Sequence, residues 1–457
     1  MTKLGTFRAV GILTFKSFQH DFGYNEAQRA SVGSNSTSLL QAGAFFSCFF
    51  IWPFTAKYGR RWSLILASVI FNIGAVIQTI NTHSLAAFYV ARIISGVGVG
   101  MATVIIPMYS AEMAPKNIRG MLGSMFQFFF TLGVMTSYWI DYAVKKHISD
   151  VTAQWQIPVG LQIVPGSILG LGMLLTKEST RWLAQNGRHE EAIASLSWVR
   201  GGESEEVRKE FEEILSGIKE EDRDREGVNW RELILPINRL RVFLIVALQI
   251  GVQLTGNTSM AYYAPQIFSL VGAGQDNLLI TGFFGRRGSL LAGALLMGSY
   301  MLIVAILTVK FPPDATQGLT APSIASLTMI YLEAMSYNIS WGPVPWAYMG
   351  EIFPNRIREA GIAIGTSTQW LFNCVFSLAT PYAVRNLGWK TFLMFGIFNY
   401  ALVVFVFFFI KETKGKSLEE MEALFGGVSP QPFRGQDPAS EDGQYHDVEE
   451  DSSRGTK

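Results

Sequence analysis

The chain has 457 residues, 49% hydrophobic and only 16% charged, with a formal net charge of +1 and a mean hydropathy of +0.25. Soluble domains carry about 25% charged residues, so the composition argues against one, and the balanced charge gives no reason to expect nucleic acid as a partner. Cys48 and Cys374 lie inside apolar runs, which speaks against a disulfide framework, and the five histidines lack metal-ligand spacing.

The first apolar stretch, 9–15, is short, ends at Lys16 and has no small-residue cleavage site after it, so it makes a poor signal peptide. A bilayer core of about 30 Å needs roughly 20 apolar residues per helix. Ten later runs meet that need: 39–56, 62–80, 85–107, 122–143, 157–176, 241–263, 288–309, 322–347, 360–383 and 390–410. They are expected to be helices, because lipid offers no partner to an open backbone group. The fold class is therefore all-α and polytopic. Its units are an N-terminal remnant 1–38, a helix bundle 39–183, a cytoplasmic linker 184–240, a second bundle 241–411 and a tail 412–457. The linker reads as amphipathic helices, and the tail after Gly426, rich in Pro, Gly, Ser and acids, reads as disordered. Asn35-Ser36-Thr37 forms a glycosylation sequon on the predicted outer side.

The two bundles repeat each other. Tyr109-x-x-Glu112-x-x-Pro115-x-x-x-Arg119 recurs as Tyr348-x-x-Glu351-x-x-Pro354-x-x-x-Arg358, each copy closing an apolar run. Gly59-Arg60-Arg61 is echoed by Gly285-Arg286-Arg287, and Lys177-Glu178-Ser179 by Lys411-Glu412-Thr413. Parallel halves with a site between them are a transporter design.

Basic residues favour the cytoplasmic side. Lys57, Arg60, Arg61, Lys116, Arg119, the segment 184–236, Arg356, Arg358 and Lys411 fall on one side, so the first span starts outside and the C-terminus is cytoplasmic. Parity fails once: between the sixth span and Arg286 lies only the apolar 278–285. Helices missing there and at the remnant 10–18 restore twelve, six per half; the alternative is a ten-helix chain with a short re-entrant segment.

These residues resemble the sugar porter family of the major facilitator superfamily, particularly fungal members of the monosaccharide and quinate type, over about 39–425. The resemblance is carried by Gly59-Arg60-Arg61, Arg92 with Gly96-x-Gly98-x-Gly100, Pro107-x-Tyr109-x-x-Glu112, Glu178-Ser179-x-Arg181-Trp182-Leu183, Gln253-x-x-Gly256, Trp341-Gly342-Pro343-x-x-Trp346 and Glu412-Thr413-Lys414-Gly415. The chain departs from the family at Ala56, Lys177, Val252 and Thr258, and the first and eighth helices are essentially absent.

The resemblance implies a membrane carrier of a monosaccharide, hexose or pentose, working by alternating access, proton-coupled in many members, with no cofactor and no covalent chemistry; it is not an enzyme. Its partners are a small sugar or polyol, protons and the lipid bilayer. The plasma membrane is the expected location, the vacuolar membrane the alternative. Quinate or another organic acid, or a polyol, is the alternative substrate. A transport-inactive nutrient sensor and a truncated, non-functional product are the other readings of the chain.

Gln127, Gln253, Trp346, Trp370 and Asn373 match cavity-lining positions of the family, and Thr258 is a further candidate that stands where the family has an Asn. Amides suit sugar hydroxyls, whereas interhelical hydrogen bonding or interfacial anchoring of a Trp is the structural alternative. Gln249, one turn before Gln253, has no motif match. The three glycines after Arg92 read as close helix packing rather than a nucleotide loop, since the run continues as an apolar helix. Arg92 is the deep coupling candidate. A charge there is costly unless paired; its usual acidic neighbour on the first helix has no counterpart, which leaves Asp21 and Asp141 on the outer side and predicts a poorly satisfied guanidinium. Arg60, Arg61, Glu112, Arg119, Glu351 and Arg358 are expected to pair across the two halves as an inner gate, the alternative being solvated topology charges.

Overall fold

A computed structural model describes residues 15–115, 119–225, 236–257, 286–311, 320–353 and 357–413, and among these there is helix but no strand. A short α1 (Lys16–Phe22) leads into α2 (Arg29–Tyr58), α3 (Arg60–Thr79), α4 (Leu85–Met113) and α5 (Arg119–His147). A span in two pieces follows, α6 (Ala153–Gly160) and α7 (Ile163–Leu175), then the linker helices α8 (Thr180–Gln185), α9 (His189–Arg200) and α10 (Glu205–Arg225). The second half contains α11 (Pro236–Leu254), α12 (Arg286–Lys310), a broken span α13 (Ala321–Ile339) and α14 (Val344–Ile352), then α15 (Arg358–Leu387) and α16 (Lys390–Phe409).

The ten expected spans are helical over most of their described residues, with breaks at 161–162, 255–256 and 340–343. Five helices are long and apolar enough by length and composition alone to cross a membrane: Arg60–Thr79, Leu85–Met113, Ala153–Leu175, Arg286–Lys310 and Lys390–Phe409. Phe50, Trp62, Trp139, Ile168, Leu171 and Phe408 turn outward, an apolar outer surface that suits lipid better than water. The segment before Arg286, where a helix is expected to be missing, lies outside the described residues.

The first half is built on close backbone approach. A Cβ on Gly96 would fall against the Leu40 carbonyl, one on Gly100 against the Ala44 carbonyl and Ser47, and one on Gly98 would lie 2.6 Å from the Ala67 carbonyl oxygen. Gly96 and Gly100 thus seat α4 on α2, and Gly98 seats it on α3, the small-residue packing expected of this run. Trp341 plays a comparable part in the second half, fully buried with its indole N–H donating to the Leu290 carbonyl at 3.0 Å.

α2 begins at Arg29, well before the apolar run that announced it. Its polar first turns are buried rather than solvated: the hydroxyls of Ser36 and Thr37 bond back to the carbonyls of Val32 and Gly33. This corrects the reading of the sequon. Ser36 and Thr37 are fully buried inside a helix, whereas an occupied sequon belongs on a surface loop. α1 docks on this end of the bundle through Phe18 and Phe22, which pack with Phe88 and Trp155.

The halves meet along α2 and α15. Ser34 donates to the Ser377 carbonyl at 3.3 Å, Gln41 Nε2 to Ser377 Oγ at 2.9 Å, and the Cys374 thiol to the Ser38 carbonyl at 3.4 Å.

Candidate functional site

Two regions bring the sequence-predicted residues together: a charged end of each half, and the buried polar groups near the seam.

At the charged end of the first half, Gly59 turns the chain at φ +91°, where its lack of a Cβ leaves room for the Glu178 carboxylate. Glu178 Oε1 accepts the backbone N–H groups of Arg60 at 2.8 Å and Arg61 at 3.0 Å, satisfying the open donors of α3 and complementing its dipole. Arg60 pairs with Glu112 at 2.9 Å, and the Ser179 hydroxyl donates to the other oxygen of that carboxylate. Arg61 reaches across to the carbonyls of Met173 and Leu174 at the end of α7.

The second half repeats this arrangement. Glu412 accepts the N–H groups of Arg286 at 2.8 Å and Arg287 at 3.0 Å, Arg286 pairs with Glu351 at 2.8 Å, and Thr413 Oγ donates to Glu351 at 2.7 Å. Arg287 donates to the Phe407 carbonyl at 2.7 Å. The repeated motifs are therefore a duplicated polar clasp that ties the second, third and last apolar segments of a half. The described ion pairs Arg60–Glu112 and Arg286–Glu351 each lie within one half, where the gate expectation looked for pairs across the halves. The side chains of Arg119 and Arg358, at the starts of α5 and α15, fall outside the described part of the structure.

The linker helices are tied to the same end. Trp182 donates to the Ala56 carbonyl at 2.8 Å; Arg200 pairs with Glu210 at 2.7 Å and also donates to the Met113 carbonyl at 3.1 Å.

Nearer the middle, polar side chains are buried with open hydrogen-bonding atoms. Gln253 is fully buried, and neither its Oε1 nor its Nε2 has a partner among the described residues. Asn373 Oδ1, Trp370 Nε1 and Gln249 Oε1 are likewise open. An unmet buried polar atom costs about 1–3 kcal/mol, so a group of them is either a defect or a place for a ligand with hydroxyls. Trp370 packs beside Ala44, Cys48 and Ile51 of α2, on the seam between the halves. Trp346 is half-buried in the first turn of α14, just past the helix break at Gly342-Pro343, and packs on the core of the second half. Gln127 lies on α5 with its side chain outside the description, and Thr258 is outside it altogether.

Arg92 is completely buried, but not bare. Its Nε donates to the Ser36 carbonyl at 2.9 Å and its Nη1 to Gln78 Oε1 at 3.1 Å. Two nitrogens of the guanidinium thus find a backbone and an amide oxygen as acceptors, where the resemblance led us to look for an acid. Asp21 is engaged elsewhere, accepting the Trp155 indole N–H at 2.8 Å.

The sequence reading missed two buried polar residues. Gln41, on α2, has one amide end on Ser377 and an open Oε1. Glu333, on α13, is fully buried, with Asn257 donating to one oxygen at 3.2 Å. The signal for Glu333 was present: it is the only acid between Ala321 and Met349, and an acid inside a membrane span is a functional candidate by default.

The arrangement is that of known carriers. Residues 6–425 match the family model described as "Sugar (and other) transporter". A quinate permease of Emericella nidulans is 32% identical over 450 residues, covering 90% of this chain and 84% of the relative. High-affinity glucose transporter 1 of Candida albicans is 32% identical over 446 residues, covering 90% and 81%. Among solved structures, the proton:xylose symporter XylE bound to 6-bromo-6-deoxy-D-glucose superposes with a TM-score of 0.74 at 26% identity, covering 93% of this chain and 96% of that one. An inward-open form of XylE from E. coli gives the same score, covering 93% and 97%. With the helical bundles, the duplicated clasp and these matches agreeing, the chain belongs to the Sugar (and other) transporter family of the major facilitator superfamily, a family of membrane carriers and not of enzymes.

Proposed function

We propose that this chain carries a neutral monosaccharide, hexose- or pentose-like, across the plasma membrane by alternating access. The observation that carries this reading is the set of open, buried amide and indole groups on Gln253, Asn373 and Trp370. Amides offer both donors and acceptors, and an indole offers an N–H and an apolar face, which together suit a sugar's hydroxyl edges and C–H faces. Rocking of one clasped half on the other about the α2–α15 seam would open the site to each side in turn. The ends bearing Arg60 and Arg286 face the cytoplasm, following the basic loops.

Quinate is the second reading, supported by the quinate permeases among the relatives. An anion wants a cation in its site, and the deep cation Arg92 already donates to Ser36 and Gln78. That favours the neutral solute. The test is uptake of labelled glucose, xylose and quinate in cells lacking their own hexose carriers, normalised for surface expression. This chain is run beside a version with a full helix built in at 10–18 and another before Arg286. Sugar uptake by this chain without quinate uptake supports the proposal; quinate uptake alone reverses the substrate assignment. Uptake by the restored version alone would make this chain a truncated product.

A further inference from the structure

Glu333 lies in the eighth span, on α13, about 18 Å along the helix from Ala321 at a rise of 1.5 Å per residue. Its side chain is completely buried. One carboxyl oxygen, Oε2, accepts from Asn257 Nδ2 at 3.2 Å, and the other, Oε1, has no partner among the described residues. Asn257 follows Gly256, whose φ of +86° marks the end of α11, one turn beyond Gln253. The acid is thus held at the end of α11, through a residue one turn beyond the open amide of Gln253.

The charged groups of the neighbouring elements are committed elsewhere. On α12, the Arg286 guanidinium pairs with Glu351 and that of Arg287 donates to the Phe407 carbonyl, while Lys310 is at the far end of that helix. Arg241 on α11 donates to Asn238, and Arg239 stands near the start of the same helix. The remaining titratable groups on α12 and α13 are the phenols of Tyr300, Tyr331 and Tyr337. Asn257 is the only described side chain that donates to Glu333. A carboxylate deep in a span with one amide donor and no cation among the described residues is costly as an anion and far less so as a neutral acid.

We propose that Glu333 is a proton-binding site in the second half and that it takes up and releases a proton during each transport cycle. The coupling part rests on the carrier reading above. When the site is open to water on one side, Oε1 accepts a proton and the carboxyl becomes neutral. When it opens to the other side, the O–H bond breaks, the proton passes to water, and Asn257 again faces a carboxylate. This places the proton site in the half opposite Arg92, beside the sugar-facing Gln253.

The direct test is infrared difference spectroscopy of the full-length purified protein in lipid nanodiscs, titrated between acidic and alkaline buffer without any sugar. The expected result is a carbonyl-stretch band of a protonated carboxyl that disappears at high pH, is absent in Glu333→Gln and is moved in frequency in Glu333→Asp. A band identical in wild type and both variants overturns the proposal, as does a wild type with no titrating carboxyl. If Glu333→Gln does not fold, the band position in Glu333→Asp decides alone. The coupling test is uptake in proteoliposomes. Glu333→Gln is expected to lose sugar accumulation driven by a proton gradient while keeping sugar exchange; accumulation at the wild-type level and pH profile overturns it. Should the wild type carry no solute, the carrier reading falls while the infrared titration still decides the proton site.

Discussion

Glu412 caps the helix that begins at Arg286 through the same two backbone N–H groups by which Glu178 caps the helix that begins at Arg60. Each carboxylate comes from the stretch just after its half's last span, so it ties the end of a bundle back to an inner helix. Charge-assisted bonds of this kind contribute about 1.5–3 kcal/mol each. Glu412→Ala and Glu178→Ala should each lower the unfolding temperature of purified protein, and the glutamine variants should lose less because an acceptor oxygen remains. Unchanged unfolding in both alanine variants would show that the clasps are incidental.

The two copies of the clasp are not equally protected. Arg60 and Glu112 are 5% and 10% exposed, whereas Arg286 and Glu351 are 33% and 31% exposed. Removing one member of a buried pair costs about 3–5 kcal/mol, while an exposed pair contributes about 1 kcal/mol or less. Arg60→Ala should therefore reduce folded yield far more than Arg286→Ala. Double-mutant cycles with Glu112→Ala and Glu351→Ala check this, and equal coupling energies would contradict it.

Gly96 and Gly100 face the backbone of α2, whereas Gly172 on α7 has nothing near its would-be Cβ. Overpacking costs about 1–3 kcal/mol or more where backbone must move. Gly96→Val and Gly100→Val should abolish folded protein in fluorescence size-exclusion chromatography. Gly172→Ala should be neutral or stabilising by about 0.5–1 kcal/mol.

Gln253 separates a binding role from a packing role. Its amide is buried with neither end bonded among the described residues, so replacing it with Leu removes an unmet polar group. Gln253→Leu should leave the unfolding temperature unchanged or raised, yet increase the KM for sugar uptake about tenfold, the equivalent of about 1.4 kcal/mol. A lowered unfolding temperature with unaltered KM would make Gln253 a structural residue.

Much of this fold was legible because the chain was written twice. The matched positions of Glu112 and Glu351 announced two halves, and the apolar runs announced the spans within them. The glycines after Arg92 were readable as packing, since nothing but a close neighbour explains small residues at that spacing in an apolar helix. What hydropathy could not show was the start of α2 at Arg29, because Ser34, Ser36 and Thr37 are polar by composition yet buried by their bonds to backbone carbonyls. The pairing within each half was out of reach for a related reason: spacing tells which residues share an end of the molecule, not which of two bundles supplies the partner. Arg92 was judged by the acid it lacks, although an amide and a carbonyl supply acceptors. Glu333 was hidden by the strength of its apolar surroundings, which were read as a span and not questioned for the one acid inside it.

The seam between α2 and α15 is knit, among the described residues, by hydroxyl, amide, thiol and carbonyl groups, while the ion pairs described above hold each half together internally. Dissolved ions screen charges and leave neutral dipoles almost untouched. Added salt should therefore soften each bundle slightly and leave the balance between its inward- and outward-facing forms nearly unmoved. The described α2–α15 contacts thus hold alike in dilute and in salty water on either side of the membrane.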